Sequence, residues 1–207
     1  MMMRYQNLMR GLFVLSLSVS MLACASIPEL KVDYQLPPRS DQLRGKKVAL
    51  SIEDGRATKK LFGPGAEQDF AGFSGNISFS VARFNEPGFK IGIFNLFDLI
   101  REGFKRKLEN LGMQVLPEPM AGEPQLVIVV NDFELDLVDR KWVARVGYDA
   151  RLVRDGQILS SQTISGQAER LKIMGRGGAD RVMGEIFTEM VNRLDMLWLY
   201  RQANLLG

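Results

Sequence analysis

The chain has 207 residues, of which 46% are apolar and 25% charged. That balance is globular and excludes disorder as its main state. It has no histidine and a single cysteine, Cys24, which excludes a Ser-His-Asp triad, a His-ligated metal, an intrachain disulfide and a Cys-clustered zinc.

The chain opens with Arg4 and Arg10, followed by a run free of charge from Gly11 to Ala23. A bilayer-spanning helix needs ~20 apolar residues, so this run is too short to span but suits the core of a secretory signal. It ends at Met21-Leu22-Ala23-Cys24, which resembles the bacterial lipobox with Met in place of the usual Leu. The resemblance implies cleavage after residue 23 and lipidation of Cys24. The competing reading is ordinary cleavage, since Ala23-Cys24-Ala25 also fits a small-x-small site. A triacylated cysteine is a stable membrane anchor. By resemblance to sorted lipoproteins, Ala25 in place of Asp implies the outer membrane. Losing Arg4 and Arg10 from the 27 cations leaves 25 against 24 acids. No concentrated basic face for nucleic acid is expected.

Residues 24–44, with Pro28, Pro37 and Pro38, predict an extended tether. The folded part is expected over 45–207 as a single domain. Lys47 to Ile52 reads as a strand. Residues 57–92 form a Gly/Phe-rich insertion. Asn95 is placed to cap a helix reaching Leu111, with Phe97, Ile100, Phe104, Leu108 and Leu111 as its buried stripe. A short strand covers Met113 to Leu116. A long one covers Leu126 to Leu137, and after a turn near Asp139-Arg140 another covers Trp142 to Val153. A two-residue loop there pairs Phe133 with Val146, Leu135 with Ala144 and Leu137 with Trp142. Arg154-Asp155-Gly156 signals a second turn before a polar edge strand, Gln157 to Glu169. One helix is expected from Asp180 to Arg201, with Val182, Ile186, Met190, Leu194 and Leu197 inward. The sum is an α+β fold: a mostly antiparallel sheet of about four to six strands, with two main helices packed on one face.

Four stretches carry a family resemblance: Val48 to Ile52, Asp54-x-Arg56, Leu108 to Val115 (LENLGMQV) and Gln125 to Val130 (QLVIVV). In this order behind a lipobox they resemble the YajG-type bacterial lipoproteins. The resemblance implies a lipid-anchored envelope protein facing the periplasm, and supports location and fold more than activity. A more distant architectural likeness is to periplasmic lipoproteins that activate cell-wall synthases or serve secretion and envelope-transport assemblies.

Five residues stand out as contacts for a partner: Asp54, Arg56, Phe73, Phe79 and Phe84. Asp54 and Arg56 follow the first strand, where a charged pair either marks a binding loop or braces it. The phenylalanines belong to a segment, residues 62–97, holding eight of the chain's twelve. One reading is an extra hairpin in which Ile77, Phe79 and Val81 alternate as a packed strand. The other is an aromatic flap that meets acyl chains, the membrane or a protein groove. Asp132, Glu134 and Asp136 share a strand face and suit Ca²⁺, acid–base work by a carboxylate pair, or a solvated surface, with Glu134 opposite Arg145. Gly175-Arg176-Gly177-Gly178 precedes the last helix, as a phosphate site or simply a turn. The function expected is a non-enzymatic binding or accessory module, without cofactor or metal, for an envelope protein. The alternative is a lipid or glycolipid transport accessory using the Phe/Gly segment.

Overall fold

Alternating inward residues and two tight turns make residues 125–171 a continuous antiparallel meander. In the computed structural model, which describes residues 28–206, these are β6 (Gln125–Val138), β7 (Lys141–Arg154) and β8 (Gln157–Leu171). Phe133 pairs with Val146, Leu135 with Ala144 and Leu137 with Trp142, the register expected. Asp139 and Arg140 both have positive φ, as do Asp155 and Gly156. That is the turn geometry whose twist matches antiparallel strands. Glu134, Arg145 and Gln167 stand abreast on the outer face, with Arg145 donating to Glu134 (2.7 Å) and Gln167 (3.1 Å). The signal segment and Cys24 lie outside the described residues.

The α+β class holds, with two mixed sheets rather than one mostly antiparallel sheet. The larger has the order β5-β2-β6-β7-β8, and β2 (Lys47–Asp54) runs parallel to both β5 (Gln114–Leu116) and β6. The cause is α1 (Leu96–Asn110), which carries the chain back to the end where β2 began; such crossovers give parallel neighbours. Asn95 caps α1 by accepting from the Asp98 N–H (3.0 Å). The smaller sheet has the order β1-β3-β4, from β1 (Leu30–Gln35), β3 (Ile77–Ala82) and β4 (Phe89–Phe94).

β1 corrects the expected tether. Leu30, Val32 and Tyr34 alternate into the core and β1 pairs in parallel with β3, so the folded unit begins before residue 45. Its free edge is covered by α2 (Gly177–Arg193). Lys31 N–H donates to Asp180 Oδ1 (2.9 Å), Gln35 N–H donates to Thr188 Oγ1 (3.1 Å), and Asn192 Nδ2 donates to the Gln35 carbonyl (2.9 Å). These side chains lie on one four-residue stripe of the helix, and Gly184 fills the remaining place in it. A Cβ on Gly184 would meet the Asp33 backbone at 3.0 Å. Bare strand edges invite foreign strands, and here helix side chains take the edge groups instead.

The other face of α2 packs on β7 and β8. Phe187 is the keystone. Its ring meets Phe133 of the larger sheet (6.3 Å between centroids), and Tyr34 (5.7 Å) and Phe79 (5.9 Å) of the smaller one. Gly103 of α1 makes room for it, since a Cβ there would lie 2.6 Å from Phe187 Cζ. Phe104 of α1 meets Tyr148 of β7 edge-on, which places both long helices on one face of the larger sheet.

The expected single C-terminal helix is two. α2 ends at Arg193, Leu194 is extended, and Asp195 caps a short α3 (Met196–Gln202) by accepting from the Trp198 N–H (2.8 Å). The break changes the phase of the stripe: Met196, Leu199 and Tyr200 are buried while Leu197 is half-buried.

Lys107 enters the core from α1 and donates to the Asn192 carbonyl in the last turn of α2 (2.9 Å). A cation suits a helix C-terminus, but burial dominates and lowers the ammonium pKa from 10.5 to about 8, against the pull of Asp195. Between those values the unfolded chain keeps a proton that the folded chain has released. Stability therefore rises with pH from about 8 to 10.5. In Lys107→Met this rise is expected to vanish, read as urea midpoints across that window.

Candidate functional site

The eight phenylalanines of residues 62–97 have separate fates. Phe62, Phe70 and Phe73 form one cluster, with Phe62 stacked on Phe70 (4.2 Å) and edge-on to Phe73 (5.0 Å). Phe70 also meets Trp142 (6.0 Å). Phe73 is half-buried there, packed against the core. Phe79 is fully buried in β3 between Tyr34, Phe94 and Phe187. That corrects its assignment as a contact residue: alternation in β3 points it inward with Ile77 and Val81, away from any partner. The hairpin reading holds for β3 and β4, although they build the second sheet rather than extend the first.

Two phenylalanines remain outside. Phe84 (52% exposed) and Phe89 (50%) flank the turn joining β3 to β4. They line a cleft of about 510 Å³ with the Leu36–Arg39 strap after β1 and with Arg106, Glu109 and Asn110 of α1. The walls are fixed locally. The Leu36 N–H donates to the Ala82 carbonyl (2.9 Å). Asn110 Nδ2 donates to the carbonyls of Pro37 (3.1 Å) and Pro38 (3.3 Å), holding the strap on the helix end. Proline rigidity there lowers the ordering cost of any contact. The apolar lining comes from Leu36, Pro37, Pro38, Val81, Phe84 and Phe89, the cations from Arg39, Arg83 and Arg106, and two carboxylates from Glu86 and Glu109. Arg106 is engaged by Glu102 (2.7 Å). Among the described residues, Arg39 and Arg83 have no carboxylate within 4 Å. Half-exposed aromatics with arginines are the composition of protein-binding surfaces.

Asp54 and Arg56 come together with each other, not with this cleft. Arg56 is buried, and its Nε donates to Asp54 Oδ1 (3.0 Å) while Lys59 approaches Oδ2 (3.1 Å). The hydrogen bond from Arg56 leads in holding the Asp54 carboxyl down at about 2. The guanidinium also lies over the Phe97 ring, 5.4 Å from its centroid. This geometry braces the loop after β2.

Of the three β6 carboxylates, Asp132 is exposed, and the other two are committed separately. Glu134 holds Arg145, and Asp136 Oδ1 accepts from the N–H groups of Gly65 (2.8 Å), Ala66 (3.2 Å) and Leu137 (2.8 Å). Arg176 of the Gly-rich turn lies over Phe70 at 5.6 Å. The cleft residues missed by sequence reasoning are Arg39, Arg83, Phe89 and Arg106. Three distant segments build the cleft, and the only local signal was an aromatic on each side of an Asn85-Glu86-Pro87-Gly88 turn.

No family model and no curated protein matches the sequence. Among solved structures, protein XCC0632 from Xanthomonas campestris, of family model DUF330, is similar over 86% of this chain and 95% of its own, at 13% identity and a TM-score of 0.52. A minor lipoprotein from Acinetobacter baumannii matches 77% of this chain and 92% of its own, at 9% identity and TM-score 0.42. The rare lipoprotein B from Shewanella oneidensis matches 77% and 99%, at 8% identity and TM-score 0.43. At 13% identity the likeness to XCC0632 is one of fold, over most of both lengths.

Proposed function

We propose that the protein is a YajG-like, lipid-anchored lipoprotein of the bacterial outer membrane, facing the periplasm, and that it acts without catalysis as a binding module for an envelope protein. The observation that carries this reading is the exposure of Phe84 and Phe89 over the arginine-lined cleft. The fold buries the other aromatics of the same segment at least in part and spares these two. Phe is costly to leave in water, and a rigid aromatic pair beside arginines makes an anchor for a protein surface. The lipobox at Met21 to Cys24 supports the anchor. Among the described residues, no helix is long and apolar enough to cross a membrane.

The test is a photocrosslinking residue at position 84 of the full chain, activated in native membranes. One protein adduct is expected. Adding Phe89→Ser is expected to remove most of it, because loss of an interface anchor costs about 2 kcal/mol or more, roughly thirtyfold in affinity. The thermal midpoint should barely move, since Phe89 is half in solvent. An adduct to lipid alone would overturn the protein-partner reading in favour of a lipid or glycolipid transport accessory.

A further inference from the structure

The most exposed large apolar side chains among the described residues are Ile173 (93%) and Met174 (89%). They sit side by side in the loop between β8 and α2, next to the half-buried Lys172 and the exposed Leu171. Nothing in the fold uses them. The stretch from Arg170 to Arg181 holds Arg170, Lys172, Arg176 and Arg181 against one carboxylate, Asp180. Arg140 is adjacent, its carbonyl accepting from the Lys172 N–H (2.8 Å). Much of this charge is engaged within the protein, by Asp69 on Lys172 (2.6 Å), by Glu185 on Arg170 (2.6 Å) and Arg181 (3.7 Å), and by the Phe70 ring beneath Arg176 (5.6 Å). Arg140 and Arg176 have no carboxylate within 4 Å among the described residues, and exposed ion pairs such as Arg170–Glu185 hold their partners weakly.

The position of this loop gives it meaning. The Lys31 N–H donates to Asp180 at the start of α2, so the first turn of that helix lies beside the beginning of β1. The loop that delivers the chain to α2 therefore shares an end of the molecule with the beginning of the described chain at Pro28. From Cys24 to Leu30 is six residues, which span at most about 20–22 Å when fully extended. An acylated Cys24 would thus hold this end against its bilayer. The Phe84–Phe89 cleft lies at the opposite end, since it is built on the ends of β1 and β3, which run parallel away from the anchor.

We infer that the loop of residues 172–176 is a second membrane contact, in which Ile173 and Met174 enter the interface of an anionic phospholipid bilayer and the surrounding cations meet its headgroups. This inference rests on the lipid-anchor reading of Cys24. The acyl chains of Cys24 would supply the attachment, and an apolar loop among cations adds an interfacial contact beside them. The contact also fixes orientation, standing the domain upright with the cleft toward the periplasm.

The experiment uses the full chain, purified from its own membranes as the Ile173→Cys variant, with Ile158→Cys at the far β7–β8 turn as control. Intact mass establishes whether Cys24 is acylated, in which case its thiol is blocked and the new thiol takes the fluorescent label alone. The protein is placed in vesicles of phosphatidylethanolamine and phosphatidylglycerol that contain an acyl-brominated lipid. The label at 173 is expected to be quenched at least about threefold more than the label at 158, as for an apolar side chain at the acyl boundary. Equal quenching with Cys24 acylated would overturn this inference and leave the anchor intact. A label at 173 that is shielded from aqueous iodide in native membranes, yet not quenched by lipid in vesicles, would assign the loop to a protein and equally overturn it. A non-acylated Cys24 would overturn the anchor. The loop is then read in Cys24→Ser by sedimentation with the same vesicles, where pelleting that is lost on adding Ile173→Ser supports the contact and absence of pelleting ends it.

Discussion

Phe79→Ala is expected to destabilise the domain by about 3–5 kcal/mol, the usual cost of emptying a buried phenylalanine site. The side chain is wholly enclosed, and three rings, Tyr34, Phe94 and Phe187, would face the void. Domains of this size hold only about 5–15 kcal/mol in total, so the urea midpoint should fall steeply. Phe84→Ala, five residues on, should stay within about 0.5 kcal/mol of the parent, as exposed substitutions do. The contrast separates the two roles of phenylalanine in one segment. A partner-binding defect at position 79 would report unfolding, whereas the same defect at 84 or 89 would report the surface.

Gly65→Ala is expected to be of comparable severity for a different reason. Beyond Val130, where β2 stops pairing with β6, the chain returns at Leu61 to Gly63 and takes up the vacated edge near Leu135. There Gly65 lies so close to β6 that a Cβ would stand 1.9 Å from the Leu137 carbonyl oxygen. A contact with backbone oxygen cannot be relieved by a rotamer change. Overpacking commonly costs about 1–3 kcal/mol, and this site belongs at the top of that range or above it. The shift would also pull Gly65 and Ala66 from Asp136, loosening the turn that carries Phe62, Phe70 and Phe73. Limited proteolysis should then cut between residues 60 and 75, where the parent resists, and the thermal midpoint should fall.

What the sequence made legible was local. The β6–β7 register followed from alternation on both sides of a short turn, and the Glu134–Arg145 pair came with it. The α1 boundaries followed from Asn95 and Gly112. β1 was obscured because Leu30, Val32 and Tyr34 alternate over only six residues between prolines, and because the partner strand lies more than forty residues away. The same distance hid the division into two sheets. The break at Leu194 was masked by apolar residues continuing through it, although Asp195 is a residue type that starts helices. The cleft was illegible in principle. Phe84 could be named as one of many phenylalanines, but it stands in the turn beyond β3, whereas Phe79 points from within β3 onto α2.

The bonds between β1 and α2 set an order of events in the life of the chain. They join residues 149 to 158 positions apart, and the parallel pairing of β1 with β3 adds a second distant closure. A chain made or threaded from its N-terminus exposes β1 first and must wait for Asn192. At about 5–20 residues per second that interval is roughly 8–30 s. Throughout it Leu30, Val32 and Tyr34 have no helix to cover them, so the completed domain can close only after nearly the whole polypeptide has emerged. A C-terminal truncation ahead of Thr188 would therefore uncover the N-terminal strand as well as remove a helix. Such a product would be a substrate for proteases and chaperones rather than a smaller working domain.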